Sequence, residues 1–448
     1  MDLTKGPVAK TLFRFSFPFM LSTLLQTLYS TMDTVIVGQF LGSAGLSAVS
    51  NGSQMMQMVY MICIGFSTAG QVLIAQAKGA GNRAKINKVI STLMILQIIL
   101  AVIMMLVCCL IPGVLLNLLN TPEEAFEQAR YYIIICGIGV VFTGLYNMFA
   151  AVLRGLGDSK HPLLFVAIAS VLNIVLDIFC ITVLDMNVAG AAVATVIGQV
   201  VSVVFSFYFL AKHSEELGID FHVKHFRYDG RIAGQIIRLG IPMAIQSAAI
   251  HFSMLFVSSM INVQGVDASA AYGVMCKIKS IPSVITQGLG LGTAGMVGQC
   301  LGADDKDRVS RIVWTCMLFC LCVCAVFAVG YLTVPELFFR MFTSDEGVMA
   351  YAVMVMSLLA LELPACVPMP ACNNLISAQG FVALSFVVAM LDAFVGRVFL
   401  CWFCGMYLGM GTFGYFLGSV LGTYVTAILV FIYFISGLWR KRKALDET

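Results

Sequence analysis

Charge-free apolar runs of membrane-crossing length recur along this chain and constrain it more than any other feature. Leu93–Ile111 holds one polar amide, Gln97, and Ile312–Val334 carries no charge at all. Runs of about 18 residues or more, at a helical rise of about 1.5 Å each, reach across a bilayer's hydrocarbon. They do not alternate with period two, so they read as helices and not as barrel strands. Helices also pair their own backbone groups, which lipid cannot do for them. Charged residues make up 11% of the 448 and hydrophobic ones 60%, against about 25% charged in a soluble domain. Most of the surface must therefore face lipid. The expected fold is all-α: a polytopic membrane protein with twelve transmembrane helices.

The expected spans are 12–40, 48–76, 89–112, 129–151, 162–184, 189–211, 236–263, 270–298, 311–334, 349–373, 381–402 and 411–436. An even number puts both termini on one side. That side collects Lys5, Lys10 and Arg14, the loop Lys78–Lys88, then Arg154 and Lys160. It also takes the segment Lys212–Arg238, the loop Lys306–Arg311 and the tail Arg440–Lys443. Together these are 21 of the 26 basic residues, against Arg130 and Arg340 opposite. By the positive-inside bias both termini are expected in the cytoplasm, with the chain in the cytoplasmic (inner) membrane. The net charge of +3 is scattered over loops, so no nucleic-acid partner is expected. The 15 Cys lack metal-ligand spacing and read as small apolar fillers, as at Cys316, Cys320 and Cys324. No cleavage pattern follows the first apolar run, which is expected to stay as the first span.

The chain also repeats itself. The segment around Pro18 resembles that around Pro242, and Thr68-Ala69-Gly70 resembles Thr293-Ala294-Gly295. Gly157 after the fourth span corresponds to Gly380 after the tenth. Two pseudo-symmetric six-helix bundles are expected, an N-lobe at 1–212 and a C-lobe at 236–448, joined by a cytoplasmic linker at 213–235. Repeats of six spans share one orientation, and transporters of this build place their sites in the cleft between or within the halves.

Ionisable residues inside spans are costly and mark function by default. Seven fall there: Asp33, Asp177, Lys277, Lys279, Glu362, Asp392 and Arg397. Asn173 and Asp177 share a helix face. Asp177 precedes, and Thr195 follows, the short turn near 184–188 by about seven residues, so both lie roughly 10 Å below the outer end. Asp33 is expected at a similar depth. The repeat maps Asp33 to Val257, Asn173 to Gly396 and Asp177 to Leu400, so the second half lacks the whole set. Oxygen ligands suit hard cations, and two close carboxylates call for a proton or a metal ion. Asp33, Asn173, Asp177 and Thr195 are therefore the candidate cation site, with Asp33 and Asp177 as sodium ligands if the ion is not a proton. A purely structural polar network is the alternative. Gln246, Lys277 and Glu362 are candidates for a C-lobe cavity; Glu362 can pair with Lys277 or Lys279, and Asp392 with Arg397. His251 reads as a locally satisfied polar residue. Pro18, fifteen residues before Asp33, is a candidate for helix bending.

On these residues the chain resembles the multidrug and toxic compound extrusion (MATE) family over essentially its whole length. Met32–Gly42, MDTVIVGQFLG, resembles the family's first-span motif, and Arg154–Pro162, RGLGDSKHP, the segment between its fourth and fifth spans. Asp33, Asn173, Asp177 and Thr195 resemble the N-lobe cation site of its DinF-like branch. Unlike NorM-like members, the seventh span carries Gln246 and His251 but no acid. The resemblance implies a monomeric antiporter that uses a proton or sodium gradient to export lipophilic, typically cationic organic compounds by alternating access among membrane lipids. It implies no cofactor. A flippase for a lipid-linked saccharide or another amphiphile is the alternative. HExxH, GxSxG and Gly-rich phosphate loops are absent from the sequence, so enzymatic function is not expected.

Overall fold

The computed structural model describes residues 2–118, 123–217, 228–343 and 345–441. Lys224, Arg227, Arg442 and Lys443 of the basic set, and much of the expected linker 213–235, lie outside them. The regular structure of the described residues is helical. Nine helical stretches among them are long and apolar enough to cross a membrane.

Three further spans complete the twelve. The first lies within Val8–Gly79, which is helical from end to end. Gln26 and Ile64 line one cavity, although a straight helix would hold them about 57 Å apart. The chain therefore folds back between them, and Ser47–Gly79 forms the second span. Val266–Gly302 is the eighth span, its mean hydropathy lowered by Asp267, Lys277, Lys279 and seven glycines. The tenth is broken, running Ala352–Glu362 and resuming at Pro368–Ala378. Pro364 has no N–H to continue the ladder, and the Leu361 carbonyl takes a hydrogen bond from the Tyr424 hydroxyl. The eleventh span, Val382–Tyr407, contains π-helical stretches at Leu391–Phe399 and Phe403–Tyr407. Neither the break nor the wide turns follow from the apolar pattern, which tells helix from strand but not one helical hydrogen-bond register from another.

Packing divides the chain into two compact units: Leu21–Ala244, and Asp2–Met20 with Ile245–Thr448. These units change over inside two helices, two residues after Pro18 and two after Pro242. In the second unit the Arg308 guanidinium donates to the carbonyls of Gly6 at 2.9 Å, Leu3 at 3.2 Å and Lys5 at 2.8 Å. Beyond that clamp, a Cβ on Gly288 would stand 2.7 Å from Met20 Cα, so only glycine admits the first helix there. In the first unit, Asp229 accepts from the backbone N–H groups of Arg231 at 3.0 Å and Ile232 at 3.3 Å, and pairs with Lys88 at 3.4 Å.

Each unit has its own apolar core. The first gathers Ile36, Val59, Ile133, Val140 and Val188. The second has one core around Phe15, Met296, Ile312 and Trp439 and another around Met275, Tyr331, Leu359 and Phe416. Cys316, Cys320 and Cys324 are buried within these cores, as small apolar fillers would be.

Candidate cation site

The first unit brings the four candidate residues together. Asn173 and Asp177 lie one turn apart on Lys160–Thr182, 3% and 0% exposed. With the amide oriented to satisfy both of its ends, Asn173 Nδ2 donates to Asp177 Oδ2 at 3.2 Å. Its carbonyl accepts from the backbone N–H of Thr195 at 3.1 Å, on Asn187–Lys212. Asp33 is half-buried, and its carboxyl comes within hydrogen-bonding reach of Asp177.

The Oδ1 atoms of Asp33 and of Asp177 are both buried without a partner. Among the described residues no lysine or arginine pairs with either carboxylate. Ionised carboxylates are acceptors only, so two that meet in low dielectric call for a shared proton or a bound cation. The set supplies oxygen ligands, which suit a proton or a hard monovalent ion and not a soft metal. Beside it lies a cavity of about 290 Å³ lined by Asn173 and Thr195.

The same cavity is lined by residues not singled out in the sequence, among them Tyr29, Gln57, Tyr60, Asn147, Ser170, Gln199 and Ser202. Helical spacing was the available signal for several. Tyr29 is one turn before Asp33, Ser170 three residues before Asn173, and Gln199 and Ser202 four and seven after Thr195. Gln199 Oε1 is a further buried oxygen without a donor. Gln57, Tyr60 and Asn147 come from other helices, and only the fold brings them there.

The second unit arranges its charges differently. Glu362, 2% exposed, accepts from Lys279 Nζ and from Thr423 Oγ1 at 2.5 Å. Its partner is thus Lys279; Lys277 is exposed. Asp392 accepts from Arg397 Nε at 3.0 Å and from Thr426 Oγ1 at 2.9 Å. A spacing of five residues matches one π-helical turn, which is the local structure there. Lys279 and Glu362 border a cavity of about 10 Å³. Gln246 is half-buried. His251 Nδ1 bonds the Ser247 carbonyl at 3.0 Å, a local contact within its own helix. Pro18 and Pro242 both lie inside helices.

A twelve-span helical protein in two halves, with unpaired carboxylates buried in one, is a multi-pass membrane transporter and not an enzyme. The MatE family model matches residues 18–179 and again 242–403, two copies offset by 224 residues as the internal repeat requires. The chain belongs to the MatE family. It is 27% identical over 446 residues to the probable multidrug resistance protein YpnP of Bacillus subtilis (strain 168), covering 100% of this chain and 99% of that one. It is 24% identical to the probable multidrug resistance protein NorM of Thermotoga maritima, covering 98% and 95%. The fold is similar to that of a multidrug resistance MATE family transporter of the MOP superfamily in its outward-facing conformation. There the TM-score is 0.91 at 22% identity, with 97% of each chain covered.

Proposed function

We propose that this protein is a cation-coupled antiporter that exports lipophilic organic cations from the cell. The observation that carries this reading is the pair of partnerless carboxylate oxygens on Asp33 and Asp177, in a unit whose cavity offers otherwise uncharged polar groups. The names of the full-length relatives support the export of drugs. A proton or sodium ion occupies the carboxylates when the site faces outward. Occupied carboxylates no longer attract a cationic substrate, so ion entry favours substrate release, and ion departure to the cytoplasm allows loading. The excess of basic residues in loops on the side of the termini supports an inner-membrane protein with both termini cytoplasmic. It works as a monomer among membrane lipids and needs no cofactor.

The test is dye efflux from vesicles energised separately by a proton and by a sodium gradient. One of the two gradients drives efflux in the wild type, and Asp33→Asn abolishes it. Undiminished gradient-driven efflux by Asp33→Asn would overturn the reading.

A further inference from the structure

We infer that Lys279 is a tethered cation that permanently neutralises Glu362, the buried carboxylate of the second unit, so that only the first unit exchanges ions. The inference extends the proposed coupling site and rests on that reading for the first unit alone. A buried carboxylate needs a counter-charge. In the first unit the chain supplies none to Asp33 or Asp177 among the described residues, and their Oδ1 atoms are left without donors. In the second unit it supplies one. Lys279 Nζ reaches Glu362 from Val266–Gly302, and Thr423 Oγ1 completes the same oxygen at 2.5 Å from Gly411–Ile435. Lys279, Arg397, Cys276, Cys366, Tyr331 and Tyr424 are among the groups near Glu362. Asp392 is held by Arg397, so Lys279, Glu362, Asp392 and Arg397 sum to zero charge.

Space points the same way. The cavity beside Glu362 measures about 10 Å³, against about 290 Å³ beside Asn173 and Thr195. The smaller space is about that of one water and leaves no room for an ion to displace the ammonium and bring its own ligands. An ammonium on a four-carbon stem cannot leave with the cycle, whereas a free ion can. The two halves of the repeat therefore solve one problem, a carboxylate inside the membrane, once with a mobile charge and once with a covalent one.

The experiment uses the full-length protein in lipid nanodiscs with Asp33→Asn and Asp177→Asn, which removes both carboxylates of the first unit. Thermal unfolding is followed in sodium chloride and in choline chloride of equal ionic strength, over a neutral pH series. A bound ion raises the midpoint with the logarithm of its concentration. In this background the midpoint is expected to be the same in both salts. Adding Lys279→Met exposes Glu362 and creates a midpoint that climbs with sodium or with proton concentration. Adding Glu362→Gln as well removes that dependence.

A sodium-dependent midpoint already present in the background, and abolished by Glu362→Gln, would overturn the inference. So would a Lys279→Met variant indifferent to both ions. The comparison in the background with and without Glu362→Gln does not require Lys279→Met to fold, and decides by itself. Wild type against the background reports separately on the first unit.

Discussion

Asn173 gives its amide to the Asp177 carboxylate at 3.2 Å and takes the Thr195 backbone N–H at 3.1 Å, so one side chain ties two helices to an acid whose other oxygen stays without a donor. The amide orients the carboxylate without neutralising it. Groups that hold a ligand in this way commonly change ion affinity by about 10-fold to 100-fold when removed. Asn173→Ala should therefore raise the ion concentration for half-maximal dye efflux by about 10-fold, with less effect on the maximal rate. A titration of efflux against sodium or proton concentration checks this. Unchanged half-saturation would show that the amide does not act on the ion.

The Asp392–Arg397 pair should behave as structure. Removing one member of a buried pair strands the other, at a cost of about 3–5 kcal/mol. Arg397→Met should fall near the lower end, about 3 kcal/mol, because the arginine side chain is 16% exposed and Asp392 keeps its bond from Thr426. Arg397→Met combined with Asp392→Leu should recover most of the loss. Unfolding midpoints in nanodiscs read both.

Two glycines set the approach of the eleventh and twelfth spans. A Cβ on Gly422 would lie 2.5 Å from the Gly396 carbonyl oxygen, and one on Gly396 would lie 2.8 Å from that of Gly422. The obstacle is backbone, so the helices themselves must separate. Gly422→Ala should cost about 1–3 kcal/mol, and Gly422→Leu should abolish the monodisperse species in size-exclusion chromatography.

Asp229 offers a pH test outside the membrane. Hydrogen bonds from the Ile232 N–H, Lys88 and the Arg231 N–H hold its carboxyl below the usual 3.8. A carboxyl depressed in the folded state adds stability above its unfolded pKa, and that contribution fades as pH falls through the folded value. Asp229→Ala should therefore lower the unfolding midpoint at neutral pH, with the difference from wild type shrinking below the usual 3.8. A difference that persisted under acid would assign the effect to packing.

The candidate site was legible in the sequence because a carboxylate in an apolar span is expensive and therefore conspicuous. The i, i+4 spacing of Asn173 and Asp177 alone puts both on one helix face. The repeat added a control, and Gly396 shows why it works. The position that matches Asn173 is a glycine packed against the backbone of Gly422, so it carries no polar group at all.

Other features were not legible, each for a physical reason. Lys277 and Lys279 differ by two residues, about 200° around a helix, and composition cannot say which points at Glu362. The changeover of the two units inside helices depends on glycine against Met20 and on Arg308 reaching three carbonyls, contacts between residues far apart in the chain. The sequence by itself determined that this chain lives in lipid, crosses it as helices, repeats once and carries the Asp33, Asn173, Asp177 and Thr195 set in one half only, because those properties follow from transfer energies and short-range spacing. Only the tertiary structure decided which buried acid keeps an unmatched oxygen and which is answered by a lysine, because that turns on where side chains from distant helices meet.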